Sequence, residues 1–322
     1  MTTTDEREFR SKADRHRREI HVHCYRMLGS FHDAEDLVQE TMVRAWQNRA
    51  TFDAATGGSG FRAWLYRIAT NACLDALKSK RRRVAVLTSF AEVPWLEPYP
   101  DRLLDEVAGP ETPDDIAVKR ETIALGYLAM IQLLPARQRA ILILHDVLGW
   151  SASETAALLE TSVVAINSGL QRARATMQRS AAEGGDRAAA PEPTDRERAL
   201  LAGFIDAHER MDMAASVALM REDMRVTMPP QPFLYQGVAQ ITPLFAQAAA
   251  MGEWRLVAAW ANRQPAAVSY LRRPGDSEFR VFKVDVLRIR DGLIAEITTF
   301  LPTLVEMFGL PEILTVNAEP VR

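Results

Sequence analysis

Residues 151–178, SASETAALLETSVVAINSGLQRARATMQ, decide how the chain is read. Ser151 and Glu154 stand at capping-box spacing, where the serine hydroxyl accepts from the Glu154 amide and the Glu154 side chain reaches back. A short helix follows, with Ala156, Leu158 and Leu159 on its apolar side. Glu160-Thr161-Ser162 supplies a turn, and Thr161 or Ser162 can cap the next helix. That helix is expected to bury Val163, Ile166, Leu170, Ala173 and Met177 and to expose Asn167, Ser168, Gln171, Arg172 and Arg174. From Ser162 to Ser180 it carries three arginines and no acid. An ordinary helical hairpin with a basic face would fit this pattern. So would a helix-turn-helix, in which polar residues early in the second helix approach base edges and later arginines hold phosphates. The caps, the short turn and the absence of acid agree with duplex DNA as the partner.

Working towards the N-terminus, Leu133-Leu134-Pro135-Ala136-Arg137-Gln138-Arg139 opens a helix that continues through Ile141, Leu142 and Leu144 and is broken by Gly149-Trp150. Before it lies a proline-rich, acidic stretch. Residues 92–121 hold nine acids (Glu92, Glu97, Asp101, Asp105, Glu106, Glu111, Asp114, Asp115, Glu121) against three bases (Arg102, Lys119, Arg120). Further upstream, Ala34, Leu37, Val38, Thr41, Met42 and Ala45 recur at helical spacing, with Asp33 as the expected N-cap. The opposite face, Glu35, Asp36, Gln39, Glu40 and Arg44, reads either as a solvated surface or as an acidic docking face. Phe61, Trp64, Leu65, Tyr66 and Ile68 crowd the next element, followed by Asn71, Asp75 and the run Lys78-Ser79-Lys80-Arg81-Arg82-Arg83. The cations fit a phosphate footprint and the aromatics could stack on unpaired bases. A packed core with a solvated basic helix end reads equally well, because helix C-termini favour cations.

The whole-chain numbers conceal this asymmetry. The 322 residues carry a net charge of −3 and are 48% hydrophobic, enough for two or three cored domains. Cys24 and Cys73, far apart and without CxxC spacing, argue against a disulfide scaffold and fit a reducing cytoplasm. The polar stretch Met1–Ser11 has no apolar segment of a signal peptide, and no run is long enough to span a bilayer, so a cytoplasmic protein with no membrane partner is expected. His16, His21, His23 and Cys24 mix metal-ligand types, but His23 and Cys24 are adjacent and cannot easily share one ion from a helix, so no metal and no cofactor is expected.

Several segments together carry a family resemblance. His23-Cys24-Tyr25-Arg26-Met27-Leu28-Gly29-Ser30, Asp33 to Thr41, Phe61 to Asn71, Leu134 to Arg139 and the helix-turn-helix occur in the order that resembles an extracytoplasmic-function sigma factor of the sigma-70 superfamily. The resemblance implies two all-α domains. Residues 1–85 would be region 2, 86–120 an acidic linker and 121–182 region 4. It also implies roles. Asp33, Asp36, Leu37, Gln39 and Glu40 would dock on the β′ clamp helices of core RNA polymerase, and helix 133–145 would contact the β flap. Trp64, Asn71 and Asp75 would open and read the minus-ten element, with Lys78, Lys80, Arg81, Arg82 and Arg83 on adjacent phosphates. Ser162, Asn167, Ser168, Gln171, Arg172 and Arg174 would face the minus-thirty-five element of promoter DNA. In such proteins the linker threads the polymerase channels, where its acids would mimic RNA phosphates.

A second linker, 183–196, leads into residues 197–310, and 311–322 form a tail. Leu200, Leu201, Phe204, Ile205 and His208 line one helix face, and Asp223 to Pro230 reads as a first strand. Trp254–Asn262, Ala266–Arg272, Phe279–Arg290 and Leu293–Phe300 read as antiparallel strands, the last two joined by the hairpin turn Asp291-Gly292. A helix packed on a curved antiparallel sheet resembles the SnoaL-like α+β cone, with His208, Asp223, Asn262, Tyr270 and Asp285 as candidate pocket residues and a small molecule as its implied occupant. The resemblance implies a fused regulatory domain, which allows a separate anti-sigma factor without requiring one. Two other readings stand beside it. A helix-turn-helix regulator with a ligand-sensing domain would not need the docking helix or segment 61–83. An isomerase- or cyclase-like enzyme would need a base set against a substrate proton, and no catalytic constellation is legible; a lone histidine on an apolar face is usually core.

Overall fold

The structure is a computed structural model and describes residues 3–52, 60–79, 93–105, 122–184 and 194–315. The described chain divides into two compact units. One gathers residues up to 87 and from 103 to 187, and the other gathers Thr88–Arg102 with the chain from Ala188 onward.

In the first unit, α1 (Thr3–Leu28), α2 (Phe31–Gln47) and α3 (Gly60–Ser79) pack on one another. Gly29 ends α1 with φ 73°, a left-handed conformation that glycine adopts without steric cost. The N-cap of α2 is Ser30, not Asp33: its hydroxyl accepts the Asp33 amide at 3.2 Å, which places Asp33 in the first turn. The expected stripe of Ala34, Leu37, Val38, Thr41 and Ala45 is buried. Cys24 and Cys73 are both buried, and α1 and α3 bring their thiols into hydrogen-bond contact. Burial and that neighbour push the Cys73 thiol well above its ordinary range, which makes it a poor nucleophile.

Helices α4 (Leu125–Ile131), α5 (Ala136–Leu142), α6 (Ala152–Leu158) and α7 (Val163–Gly184) complete this unit, and α5 runs on as a π-helical turn, Ile143–Val147. Ser151 and Glu154 close the expected capping box on α6. Arg139 of α5 is almost fully buried. Its guanidinium donates to the main-chain carbonyls of Met27, Gln132 and Leu134 and to the Gln132 side chain. Met27 lies in the last turn of α1, whose carbonyls carry the negative end of the helix dipole. Arg139 thus ties α5 to the end of α1, and Tyr66 of α3 meets Trp150 with ring centroids 5.5 Å apart.

The second unit is a mixed α+β layer. Helices α8 (Asp195–Glu209) and α9 (Met213–Ala218) precede β1 (Met220–Met228) and β2 (Gln231–Gln236). Helix α10 (Val238–Met251) follows, then β3 (Glu253–Ala261), β4 (Gln264–Arg272), β5 (Phe279–Arg290), β6 (Leu293–Phe300) and the short β7 (Ile313–Leu314). Strand order is β2-β1-β6-β5-β4-β3, with β7 paired to β5. The sheet is not wholly antiparallel, because β1 pairs with β6 in parallel. Leu200, Leu201 and Phe204 of α8 meet Trp254, Leu256, Leu271, Leu287 and Ile297 in the core. Hairpin β3–β4 turns on Asn262 and Arg263, with φ of 56° and 58°, the double positive φ of a type I′ turn.

Residues 93–102 belong to this unit rather than standing free as a linker. Val93, Leu96 and Tyr99 are buried, and Pro100 forms an antiparallel bridge with Ala261. The Tyr99 amide donates to Asn262 Oδ1 at 2.8 Å, and the Asn262 amide donates to the Tyr99 carbonyl at 2.8 Å. The Asp101 carboxylate accepts the Arg263 amide at 2.8 Å, and Arg102 donates to the Met307 carbonyl at 2.7 Å.

Candidate nucleic-acid interface

Helix α7 is capped by Ser162, whose hydroxyl accepts the Ala165 amide at 3.2 Å. Ile166, Leu170 and Ala173 point into the core, while Asn167, Gln171, Arg172 and Arg174 are exposed and Ser168 is half-buried. Val163 was expected inside but is 42% exposed. It keeps the i, i+3, i+7 spacing with Ile166 and Leu170, but it is the first residue of the helix, where no preceding turn of α7 covers it. Arg174 is not a free cation. It makes a two-pronged bond to Asp146, Nε at 2.9 Å and a terminal nitrogen at 2.5 Å. Burial alone would raise the Asp146 carboxyl, but its bonds from Arg174 and His145 hold it below its ordinary value. His145, Asn167, Gln171, Arg174 and Gln178 line one groove along this helix.

On α3 the structure separates two groups that the sequence placed together. Trp64 is buried, packed on Phe52 and Phe61 at ring-centroid distances of 5.5 Å each, so it serves the core. Asn71, Asp75 and Lys78 are exposed, and Arg67, absent from the sequence-based set, joins their face because it lies one turn before Asn71. Arg44 lies 3.8 Å from Asp75 and also pairs with Glu40. Lys80, Arg81, Arg82 and Arg83 lie outside the described residues.

On α2, Asp36, Gln39 and Glu40 are exposed, whereas Leu37 packs inward. Val43, one turn beyond Gln39, is 54% exposed and puts an apolar centre on this polar face. The sequence reading missed it. Arg17 bonds Glu35 at 2.6 Å, and although burial would raise that carboxyl, Arg17 and His21 hold it low.

The candidate pocket residues of the second unit do not converge as a group. Asn262 is committed to Tyr99, and the Tyr270 hydroxyl donates to the Pro311 carbonyl at 2.8 Å. Asp223 is exposed and pairs with Arg221 at 2.9 Å, which removes it from any pocket. His208 and Asp285 do share one region. His208 is buried among Phe204, Phe245 and Trp254 at ring-centroid distances of 5.6, 5.3 and 5.5 Å. Asp285 accepts from the Thr299 hydroxyl at 2.7 Å and lies 2.8 Å from Lys283. Burial, aided by Lys283 and opposed by Asp285, pushes the His208 pKa down to about 3.

That depression sets a pH dependence. Between pH 6.5 and about 3 the unfolded chain binds a proton at His208 that the folded chain refuses, so acid costs stability in this window. His208→Phe keeps the aromatic packing and removes the proton site. In urea unfolding of the full chain, the variant is expected to lose about 2–3 kcal/mol less than wild type between pH 7.5 and 4.5. Equal losses would contradict a neutral, buried His208. His23, pushed to about 3 by burial and by Arg26 and Arg62, adds an acid sensitivity of the same sign in the first unit.

Among the described residues no helix is long and apolar enough to cross a membrane, and no cluster of metal-ligand residues forms. Residues 13–83 match the Sigma-70 region 2 family, residues 125–177 match Sigma-70, region 4, and residues 201–297 match the SnoaL-like domain. The chain is 41% identical to the ECF RNA polymerase sigma factor SigG of Mycobacterium tuberculosis strain H37Rv, over 96% of this chain and 86% of that protein. It is 30% identical to the ECF RNA polymerase sigma factor SigW of Bacillus subtilis strain 168, over 54% of this chain and 89% of that protein. Its fold resembles the crystal structure of the Mycobacterium tuberculosis extracytoplasmic function sigma factor SigJ, with a TM-score of 0.58 at 19% identity, covering 90% of this chain and 94% of that one. Three matched regions in order, and a relative this similar along nearly the whole chain, establish that the protein belongs to the ECF RNA polymerase sigma factors and carries a SnoaL-like domain behind its two Sigma-70 regions.

Proposed function

We propose that α2 docks on core RNA polymerase through Asp36, Gln39, Glu40 and Val43, that α3 meets the minus-ten element through Arg67, Asn71 and Lys78, and that α7 reads the minus-thirty-five element. The basic run Lys80 to Arg83 continues the α3 footprint in sequence. The α2 face supports its role by chemistry: a half-exposed valine ringed by acids and an amide matches a surface that buries an apolar centre inside a polar, basic rim.

The second unit restrains initiation by holding the segment that leads from region 2 to region 4. The observation that carries this reading is the reciprocal pair between Tyr99 and Asn262. A linker zipped to the β3–β4 turn is withdrawn from the polymerase channels it would otherwise thread, and Asp101 is already spent on Arg263. A small molecule near His208 and Asp285 could bias the held state only by as much as its affinity differs between held and released forms.

A rival reading, a DNA-binding regulator that never joins polymerase, is separated by co-purification with core enzyme. The full chain should be retained at low micromolar concentration, and reversing Asp36 and Glu40 to lysine should weaken retention roughly tenfold or more. Both positions are exposed, so the fold survives the change. Unchanged retention of the double variant would remove α2 from the polymerase interface, and no retention of wild type would favour the rival.

A further inference from the structure

Val164 is 75% exposed, more than any other large apolar side chain among the described residues, and it stands in the first turn of α7. A helix places successive side chains about 100° apart. With Ile166, Leu170 and Ala173 marking the core side, Val164 falls opposite the core, on the face it shares with Ser168 and Gln171. Asn167 lies beside it, and Arg172 and Arg174 flank this face on its two sides. A solvated helix face gains nothing from a bare valine. In helix-turn-helix proteins the N-terminal residues of the second helix contact base edges, and Val164 holds such a position in α7.

We propose that Val164 reads a thymine methyl group in the major groove of the upstream promoter element. This rests on α7 being the recognition helix. The surroundings select the occupant. From Ser162 to Ser180 the helix has three arginines and no acid, and with Arg174 paired to Asp146 the net positive charge comes from Arg172 and Arg179, so its face complements a polyanion. An apolar protein partner would call for a contiguous patch, but Val163 and Val164 are bordered by Ser162, Asn167 and Ser168, which are hydrogen-bonding groups suited to base edges. The C5-methyl of thymine is the apolar group on the major-groove floor, and only A·T pairs display it. A valine side chain suits it because branching at Cβ holds χ1 nearly fixed in a helix, so little freedom is lost on contact. The carboxamides of Asn167 and Gln171 can make the paired donor–acceptor contact to an adenine next to it. The element read by this helix therefore contains at least one A·T pair recognised through its methyl group.

The test uses polymerase reconstituted with the full chain. Duplexes are selected from a library randomised upstream of a fixed downstream element, and each selected thymine is then replaced by deoxyuridine, which lacks only the methyl. Wild type is expected to lose about fourfold in complex formation at one thymine, the worth of one methyl group withdrawn from water. Val164→Ala should lose a similar factor on the thymine duplex and should no longer distinguish thymine from deoxyuridine there. A Val164→Ala variant that keeps the wild-type sensitivity, or a wild type blind to every methyl, overturns the proposal. Gln171→Ala and Arg172→Ala separate the two levels. If both change the selected upstream sequence while the methyl is ignored, the Val164 assignment alone fails; if neither changes it, the recognition-helix reading fails with it.

Discussion

Replacing Arg139 by alanine is expected to destabilise the first unit by about 3–5 kcal/mol, the range seen when a buried charge–acceptor set loses one side. The guanidinium is 1% exposed and donates to three main-chain carbonyls and one side-chain amide oxygen. Alanine takes this donor from those carbonyls, and an orphaned buried polar group costs about 1–3 kcal/mol. Lysine should not restore the network, because an ammonium is a point donor and these acceptors are matched to a planar fork. A loss of about 2 kcal/mol is expected for it. Urea unfolding of the full chain measures both. A loss below 1 kcal/mol for Arg139→Ala would mean that the network contributes little. The contact also joins a region 2 helix, through Met27, to a region 4 helix, so weakening it should loosen the two regions from one another.

The second large effect concerns Asn262. Glycine there keeps the positive φ of 56° that the turn needs, so Asn262→Gly removes only the carboxamide. The Tyr99 amide, buried and bonded to Oδ1 at 2.8 Å, then has no acceptor from this side chain. A cost of about 1–3 kcal/mol corresponds to opening segment 93–102 roughly 5- to 150-fold more often. Hydrogen exchange at Tyr99 and Asp101 should accelerate by that factor, while β5 and β6 stay protected. Unchanged exchange at Tyr99 would show that Leu96 and the proline contacts, not Asn262, hold the segment.

What the sequence disclosed and what it hid divide along a physical line. Signals within a few residues were legible. The Ser151–Glu154 box, the Asp291-Gly292 turn and the strands from 253 to 300 are where local patterning put them. The N-cap of α2 was displaced by three residues because Ser30 and Asp33 are both capping types, and the choice between them depends on where α1 ends at Gly29. Pairings remote in sequence were not legible. Cys24 and Cys73 meet across α1 and α3, β1 joins β6 in parallel, and Asn262 turns from a candidate pocket residue into a clamp on Tyr99, 163 residues away in sequence. Trp64 could stack on a base or fill a core by composition alone, and only the ring of Phe52 and Phe61 decides it. Val163 was expected inside because it keeps the spacing of Ile166 and Leu170, and its 42% exposure at the first residue of the helix is visible only in the structure. Val164 was given no side in the sequence reading, although the phase of Ile166 and Leu170 turns it outward.

If the second unit restrains initiation by holding the linker at Tyr99 and Asn262, run-off transcription will report its release. Core polymerase with the full chain should give promoter-specific transcripts that core alone does not. Asn262→Gly, with segment 93–102 shown by exchange to be released, should raise the transcript yield about fivefold or more, the smaller end of the freed equilibrium. Equal or lower yield from a demonstrably released linker would mean that the second unit does not restrain initiation through segment 93–102.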